Sequence, residues 1–225
     1  MADSTQARLP AIEVQTRPNP SHAVVWLHGL GADGQDFVPI VDALPLPPVG
    51  IRFVFPHAPM RPVTINGGFV MRAWYDIVDA DFGTRQDERG IRASQEAVEA
   101  LVAREIERGI PASRIVLAGF SQGGVMTLQA GLRYRKKLAG LMVLSGYLPL
   151  AKAVSAERSE ANIATSIFMA HGTEDPVIPL AAAQSSRQQL AKLGHEVEWH
   201  EYRMPHTVCD AEIADIGAWL RKVLL

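Results

Sequence analysis

The segment Gly119-Phe120-Ser121-Gln122-Gly123 joins an apolar run to a helix-like run. Residues 114–118 before it read Arg-Ile-Val-Leu-Ala, which is typical of a buried strand, and residues 124–130 after it are typical of a helix. A serine between two close glycines at a strand-to-helix turn predicts a nucleophile elbow, a tight turn that exposes the serine hydroxyl. The amide of Gln122 would lie at the helix N-terminus, where negative charge is stabilised.

Apolar runs and helix-like patterns alternate on both sides of this turn. The strand candidates are mostly continuous apolar runs, as expected for strands buried on both faces: residues 22–27, 51–55, 114–120, 138–145, 166–170 and 196–202. The helix candidates are residues 87–108, 122 to about 135, 180–193 and 211–224. This alternation predicts an α/β fold with a mostly parallel central sheet and helices on both faces. No repeat or linker divides the chain, so we expect one domain over residues 1–225.

The composition excludes several classes of partner. Hydrophobic residues make up 48% of the 225-residue chain and charged residues 20%, which describes an ordinary globular protein. A net charge of -2 gives no electrostatic reason to bind nucleic acid or an anionic membrane. The single cysteine, Cys209, excludes an internal disulfide and favours a reducing compartment. Residues 1–8 show no signal-peptide pattern, and we therefore expect a soluble, cytoplasmic protein.

Two loops after later strand candidates supply the partners that a nucleophilic serine needs. The serine requires a base, and the base requires a carboxylate that orients it; in elbow hydrolases the acid precedes the histidine in the chain. The segment 171–176 reads His-Gly-Thr-Glu-Asp-Pro and residues 204–207 read Met-Pro-His-Thr, so we assign Asp175 as the acid and His206 as the base. Glu174 is the competing acid, but the proline after Asp175 favours a fixed turn there.

The glycine-rich loop at residues 27–34 is the candidate second half of an oxyanion hole. Such a loop can turn a main-chain amide toward the serine, and we assign Leu30 N–H as the partner of Gln122 N–H. The same loop reads G-x-G-x-x-G, the pattern of a dinucleotide site. That site also needs an acidic residue at the end of the second strand, where this chain has Phe55-Pro-His, so a dinucleotide cofactor is not expected.

Other reactive side chains are assigned no chemistry. Ser145 ends a strand candidate but lacks flanking glycines, and Cys209 is expected to be a small buried residue. The spacing of His195 and His200 does not match a zinc motif, so no metal site is expected.

The remaining histidines receive no catalytic role either. His22 and His195, at strand starts, are expected to face solvent. His57 either lines the site or fills a turn, and His171 is expected to be structural.

Six motifs in a fixed order resemble a known family. They are residues 27–31 (Leu-His-Gly-Leu-Gly) with Asp36-Phe37, residues 72–76, 119–124, 144–149 and 171–179, and Pro205-His206. Together they resemble the small carboxylesterases related to acyl-protein thioesterases, within the α/β-hydrolase fold. The resemblance implies a fold without a large lid domain and no cofactor. It also implies a triad, an oxyanion hole and two residues near the acyl pocket: Ser121, Asp175 and His206; the Leu30 and Gln122 amides; and Trp74 with Tyr75.

The expected activity is hydrolysis of small-molecule esters or thioesters, with short- to medium-chain acyl groups, through an acyl-enzyme. Thioesterases of this kind that act at membranes often carry a lipid-modified cysteine near the N-terminus, whereas this chain starts Met1-Ala2-Asp3. A stable membrane anchor is therefore not expected. The alternatives are an acyl-protein thioesterase or lysophospholipase for long acyl chains, a peptidase or perhydrolase, and a non-catalytic ligand-binding protein. Apolar surface loops are the only motive for a homodimer, which the sequence leaves open.

Overall fold

A computed structural model describes residues 9–79 and 85–225. Residues 1–3, on which the expectation about a membrane anchor rests, lie outside this part. The strands of the described part are β1 Ala11–Gln15, β2 His22–Leu27, β3 Ile51–Pro56, β4 Met60–Val63, β5 Phe69–Arg72, β6 Ile115–Phe120, β7 Gly140–Leu144, β8 Ser166–Gly172 and β9 Val197–Tyr202. The α-helices are α1 Ile40–Ala43, α2 Glu88–Glu107, α3 Gln122–Arg133, α4 Ala151–Glu157, α5 Leu180–Lys192 and α6 Asp210–Leu224.

Seven strands form one sheet in the order β1-β3-β2-β6-β7-β8-β9. Every pair from β3 to β9 is parallel, and only β1 at the edge is antiparallel. The carboxyl ends of the parallel strands therefore meet at one edge of the sheet, where ligands of such sheets bind. The other two strands, β4 and β5, form a separate antiparallel hairpin.

Both faces of the sheet are covered, which explains why its strands are continuous apolar runs. Ala23, Val25 and Leu27 of β2 belong to one core with side chains of α2, α3, α4 and α5. Val24 and Trp26 of the same strand belong to a second core with side chains of α1 and α6. Alternate residues of one strand thus pack on opposite helical layers, as a strand's period of two requires.

Several predictions about local structure were wrong. His22 and His195 were expected to face solvent, but both are buried. His22 lies in a strand that is covered on both faces, and its ring contacts the Ser21 hydroxyl at 2.9 Å. Cys209 was expected to be buried, but it is partly exposed at the start of α6. In the described part of the chain, no helix is both long enough and apolar enough to span a membrane.

Candidate active site

Ser121 lies at the turn between β6 and α3, with a backbone φ of 55° and ψ of -120°. This left-handed φ is strained for a residue with a side chain, by about 1–3 kcal/mol. The backbone around this turn is packed so closely that only glycine fits at the two flanking positions. A Cβ on Gly119 would overlap the Gly123 carbonyl. A Cβ on Gly123 would overlap the Leu27 carbonyl. Close packing of β6, α3 and β2 therefore imposes the turn that the sequence predicted.

The structure brings Ser121, His206 and Asp175 into one hydrogen-bonded chain. His206 Nε2 lies 2.9 Å from Ser121 Oγ, and His206 Nδ1 lies 2.6 Å from Asp175 Oδ2. The ring of Phe120 packs against the His206 imidazole with centroids 4.7 Å apart. This geometry suits transfer of a proton from the serine hydroxyl to Nε2 while the carboxylate holds Nδ1–H.

The loop between β8 and α5 fixes the Asp175 carboxylate. Its Oδ1 accepts hydrogen bonds from the amides of Val177 and Ile178, at 2.8 and 2.9 Å, and its side chain is fully buried. Beside it, His171 Nε2 lies 2.9 Å from the Ile178 carbonyl and 3.4 Å from Asp175 Oδ2. Burial lowers the pKa of His171, although the Ile178 carbonyl partly opposes this, so its imidazole is neutral at pH 7.

The competing side chains lie elsewhere. Glu174 is exposed, and its carboxylate pairs with Arg203 at 2.9 Å instead of reaching His206. Ser145 directly follows β7 and has a φ of 49°, but it is fully buried, and the His206 ring bonds to Ser121. His57 fills a turn: its Nδ1 accepts a hydrogen bond from Gly34 N–H at 3.1 Å.

The glycine-rich loop after β2 lies directly against the nucleophile. A Cβ on Gly29 would be 3.4 Å from Ser121 Cβ, so the residue that precedes Leu30 packs against the serine. Gln122 opens α3, so its N–H is one of the amides without a partner inside the helix. The two amides that the sequence assigned to the oxyanion hole are thus that of Gln122, next to Ser121, and that of Leu30, which follows the glycine packed against Ser121. Their function remains a prediction.

The side chains of His28 and Trp74 hold this loop, and the Gln122 side chain in turn holds the segment that carries Trp74. His28 is buried; its Nδ1 lies 2.7 Å from the Gly29 carbonyl, and its Nε2 accepts from the Ala58 amide at 3.0 Å. The Trp74 indole donates to the His28 carbonyl at 2.9 Å. The Gln122 side chain bonds the Trp74 amide and the Tyr75 carbonyl, at 3.0 and 2.9 Å. The sequence carries no signal for this role of His28, because its partner Ala58 is 30 residues away.

Trp74 and Tyr75, which the family resemblance placed near an acyl pocket, are buried behind the oxyanion loop. The Tyr75 hydroxyl reaches the Tyr147 hydroxyl at 3.1 Å, and burial raises the Tyr75 pKa well above its ordinary value. Tyr147 and Leu148 line a cavity of about 600 Å³ whose other walls come from the start of α2, from α4 and from α5. No residue of the triad lines this cavity, so its use as the candidate acyl pocket is a prediction that rests on the Tyr75–Tyr147 contact. A role for Trp74 and Tyr75 in it stays a prediction.

No group of three or more His, Cys, Asp or Glu side chains that could hold a metal ion occurs among residues 9–79 and 85–225. The chemistry that the geometry supports uses the serine, the histidine, the carboxylate and main-chain amides.

Comparison with known proteins covers nearly the whole chain. Residues 9–224 match the profile described as phospholipase/carboxylesterase. Acyl-protein thioesterase 1 of Yarrowia lipolytica is 35% identical over 219 residues, which cover 95% of this chain and 96% of that protein. Acyl-protein thioesterase 1 of Neurospora crassa is 38% identical over 228 residues, which cover 97% and 93% respectively.

Solved structures agree with these matches. The crystal structure of Arabidopsis thaliana SOBER1 aligns with a TM-score of 0.86 and 32% identity, and covers 91% of this chain and 99% of that one. Zea mays acyl-protein thioesterase 2 aligns with a TM-score of 0.83 and 28% identity, and covers 95% and 99%. The predicted α/β-hydrolase fold is thereby confirmed. No large lid domain occurs in the part of the chain that the structure describes.

Proposed function

Because the chain belongs to the phospholipase/carboxylesterase family and is a carboxylic ester hydrolase, we propose that it hydrolyses short- to medium-chain acyl esters and thioesters. The observation that carries this proposal is the hydrogen-bonded chain from Ser121 through His206 to Asp175, with distances of 2.9 and 2.6 Å. Family membership sets aside the non-catalytic ligand-binding alternative.

Acylation follows from this arrangement. Ser121 Oγ attacks the acyl carbonyl carbon while His206 Nε2 takes the hydroxyl proton, and Asp175 stabilises the imidazolium that forms. The carbonyl oxygen becomes an oxyanion, which the amides of Leu30 and Gln122 stabilise by about 3 kcal/mol each. The intermediate collapses when His206 returns the proton to the leaving alcohol or thiol, and an ester bond to Ser121 remains.

Deacylation repeats these steps with water. His206 Nε2 takes a proton from water, and the resulting oxygen nucleophile attacks the acyl-enzyme carbonyl. The second tetrahedral intermediate releases the carboxylic acid and returns the proton to Ser121 Oγ. Esters and thioesters both suit this cycle, because each presents an electrophilic carbonyl and a leaving group that one proton makes stable. No metal or organic cofactor takes part in the proposed cycle.

The proposed acyl preference follows from the walls of the candidate acyl pocket. Its walls combine apolar side chains such as Leu148 and Leu150 with the polar side chains of Glu88, Lys152 and Gln189. A long alkyl chain would have to be buried against these polar groups, which is unfavourable. A short or medium acyl chain can stay on the apolar part of the wall.

A long-chain activity is the second candidate, because two observations favour it. The matched relatives are acyl-protein thioesterases, and the exposed hairpin β4–β5 carries apolar side chains beside the active site. The hairpin is tied to the oxyanion loop, because Gly31 N–H donates to the Arg72 carbonyl at 2.9 Å. An acyl-protein thioesterase or a lysophospholipase would use such a surface to receive a long chain.

The test is hydrolysis of aryl esters from acetyl to palmitoyl, beside one palmitoyl-thioester peptide and one anilide. We expect the highest kcat/KM on short or medium esters and a loss of at least about 10⁴-fold in Ser121→Ala. Ser145→Ala is the matched control, a buried serine at the end of the neighbouring strand, and should keep its activity. Highest turnover of the palmitoyl substrates would select the long-chain candidate, and rapid anilide cleavage the peptidase. An inert wild type would contradict both ester readings.

Three broader predictions belong to this proposal. Residues 1–225 form one domain, the enzyme works in the cytoplasm, and its partner is a small-molecule substrate rather than a nucleic acid. The single cysteine and the net charge of -2 support the last two. A single cooperative unfolding transition and cell fractionation test the first two, and light scattering decides between a monomer and a homodimer.

A further inference from the structure

The imidazole of His28 is held between two main-chain groups of opposite type. Its Nε2 lies 3.0 Å from the Ala58 amide nitrogen, which can only donate, so Nε2 must carry the lone pair. Its Nδ1 lies 2.7 Å from the Gly29 carbonyl oxygen, which can only accept, so Nδ1 must carry the hydrogen. These two bonds together require one tautomer of a neutral ring.

The bond to the Gly29 carbonyl has a consequence for the next amide. The Gly29 carbonyl and Leu30 N–H belong to the same planar trans peptide and point in opposite directions. When Nδ1–H of His28 holds the carbonyl on its own side, Leu30 N–H is turned to the other side. Gly29 packs against Ser121, with 3.4 Å between a built Cβ and the serine Cβ, so this peptide lies at the nucleophile.

The other bonds of this loop leave that peptide free to rotate. The Trp74 indole holds the His28 carbonyl, and the Arg72 carbonyl holds the Gly31 amide. Both bonds anchor the loop beside the peptide, but neither contacts the Gly29 carbonyl. Without a side chain at Gly29, rotation of the peptide meets little steric resistance.

We propose that His28 is a positioning residue: its Nδ1–H fixes the Gly29–Leu30 peptide so that Leu30 N–H donates to the oxyanion. The inference rests on the proposed function, because it gives His28 a part in the same hydrolysis. His28 does not touch the substrate. It acts through the peptide, and its loss removes one oxyanion donor at the transition state.

The surroundings of the ring keep it neutral. Burial lowers its pKa; the Gly29 carbonyl and the charges of Asp33 and Asp36 oppose this, while His57 adds to it. A proton on Nε2 would place two donors against each other, because Ala58 N–H already points there. The ring therefore works as a fixed donor at neutral pH.

The test uses two substitutions that keep different halves of the ring. His28→Asn places an amide donor near the Nδ1 position, whereas His28→Gln offers an acceptor near the Nε2 position and no donor to Gly29. We expect His28→Gln to lower kcat by about 10²- to 10³-fold with little change in KM, the effect of losing one oxyanion donor. His28→Asn should retain most of kcat. His195→Gln, at a buried histidine between α5 and β9, is the matched control and should behave as wild type.

A second readout isolates the oxyanion. A trifluoromethyl ketone forms a tetrahedral adduct with a negatively charged oxygen, so its affinity should fall in His28→Gln by the same factor as kcat. Equal losses in the Asn and Gln variants would indicate a packing role and overturn the inference, as would a wild-type kcat in His28→Gln. If the wild type hydrolyses esters and Ser121→Ala does not, either result leaves the proposed function standing.

A further test uses the wild-type protein and therefore does not depend on whether a His28 variant folds. Nitrogen NMR of the histidine rings at neutral pH should show His28 with hydrogen on Nδ1 and a lone pair on Nε2. The opposite tautomer, or a His28 ring that titrates with an ordinary pKa while kcat stays unchanged, would overturn the inference.

Discussion

The nucleophile elbow and the β4–β5 hairpin are neighbours that differ in how tightly their backbone is packed. At the elbow, a side chain on Gly119 or Gly123 would overlap main-chain atoms. In the hairpin, a Cβ added to Gly67 or Gly68 would have no neighbouring atom within 4 Å. The hairpin also exposes four large apolar side chains, each between 43% and 74% accessible: Met60, Ile65, Phe69 and Val70.

This difference separates residues that the fold requires from residues that it does not. The elbow has one sterically allowed arrangement, so its sequence is dictated by packing and by the chemistry of Ser121. The hairpin buries little, so its apolar side chains add little to stability and their value must lie at the surface. We call the elbow and the buried core around it the packed side. Substitutions there should have large effects on activity or stability, and substitutions in the hairpin should have small ones.

The largest effect is expected for Asp175→Asn on the packed side. An amide at this position favours the wrong tautomer of His206, so kcat/KM should fall by about 10⁴-fold, equivalent to about 5.5 kcal/mol, without unfolding the protein. Ester turnover and a thermal melt measure the two quantities. Glu174→Gln removes the adjacent exposed carboxylate and should keep near wild-type turnover; equal losses in both variants would contradict the assignment.

Gly123→Ala should have the next largest effect, on stability. The added Cβ would overlap the Leu27 carbonyl, so α3 must move away from β2. We expect a loss of at least about 3 kcal/mol of unfolding free energy, measured by urea denaturation. Gly124→Ala is the matched control, since its Cβ would meet its neighbours at 3.1–3.2 Å. A Gly123→Ala protein as stable as Gly124→Ala would show that the elbow can relax.

The buried carboxyl of Glu212 on α6 should make the unfolding free energy of the packed core depend on pH. Burial raises its pKa to about 8 from the ordinary 4.5, and the charge of Asp215 adds to this while the Cys209 backbone opposes it. The folded protein therefore binds one proton more than the unfolded chain between these values, and stability falls as the pH rises through this window. Glu212→Gln removes the penalty and should gain about 4 kcal/mol relative to wild type at pH 8.

The measurement is urea unfolding of both proteins at about pH 5 and pH 8, with the difference between the two proteins as the readout. Glu196→Gln, an exposed glutamate, should follow wild type at both values. If the advantage of Glu212→Gln is the same at both pH values, the carboxyl is ionised in the folded protein throughout.

Sequence could predict the packed side because its signals are local. A run buried on both faces identifies itself, and β2 was predicted over residues 22–27, as found. The order of the three loops was enough to select Ser121, Asp175 and His206, which the structure brings within hydrogen-bond distance.

What the sequence could not predict depends on distant partners. Strand β1 owes its place to antiparallel pairing with β3, and the hairpin strands are four residues each, with a proline in β4. The short helices α1 and α4 were missed for a similar reason, since a few residues carry no clear helical period. His28 was quoted only as part of a motif, because its bond to Ala58 joins two segments 30 residues apart.

Gly67→Ala examines the open side of the comparison. Gly67 has a φ of 67°, which costs alanine about 1 kcal/mol, but its Cβ would meet no neighbour. We expect the unfolding free energy to fall by about that amount and ester turnover to be unchanged. A loss as large as that of Gly123→Ala would mean that the hairpin is packed as tightly as the elbow, and the contrast between the two regions would fail.

Phe69→Ser should have the smallest effect on stability. Phe69 is 74% exposed in β5, opposite Val63 of β4, so its ring gives up little buried area when it is removed. We expect a change in unfolding free energy of less than about 0.5 kcal/mol. The matched substitution Phe53→Ser, in the fully buried centre of β3, should abolish folding, because it creates a cavity and buries a hydroxyl. With stability unchanged, the ratio of octanoyl to acetyl ester turnover in Phe69→Ser reports what the ring does at the surface. An unchanged ratio would mean that the Phe69 ring does not take part in acyl binding. A lower ratio would show that this exposed side chain contacts the acyl chain.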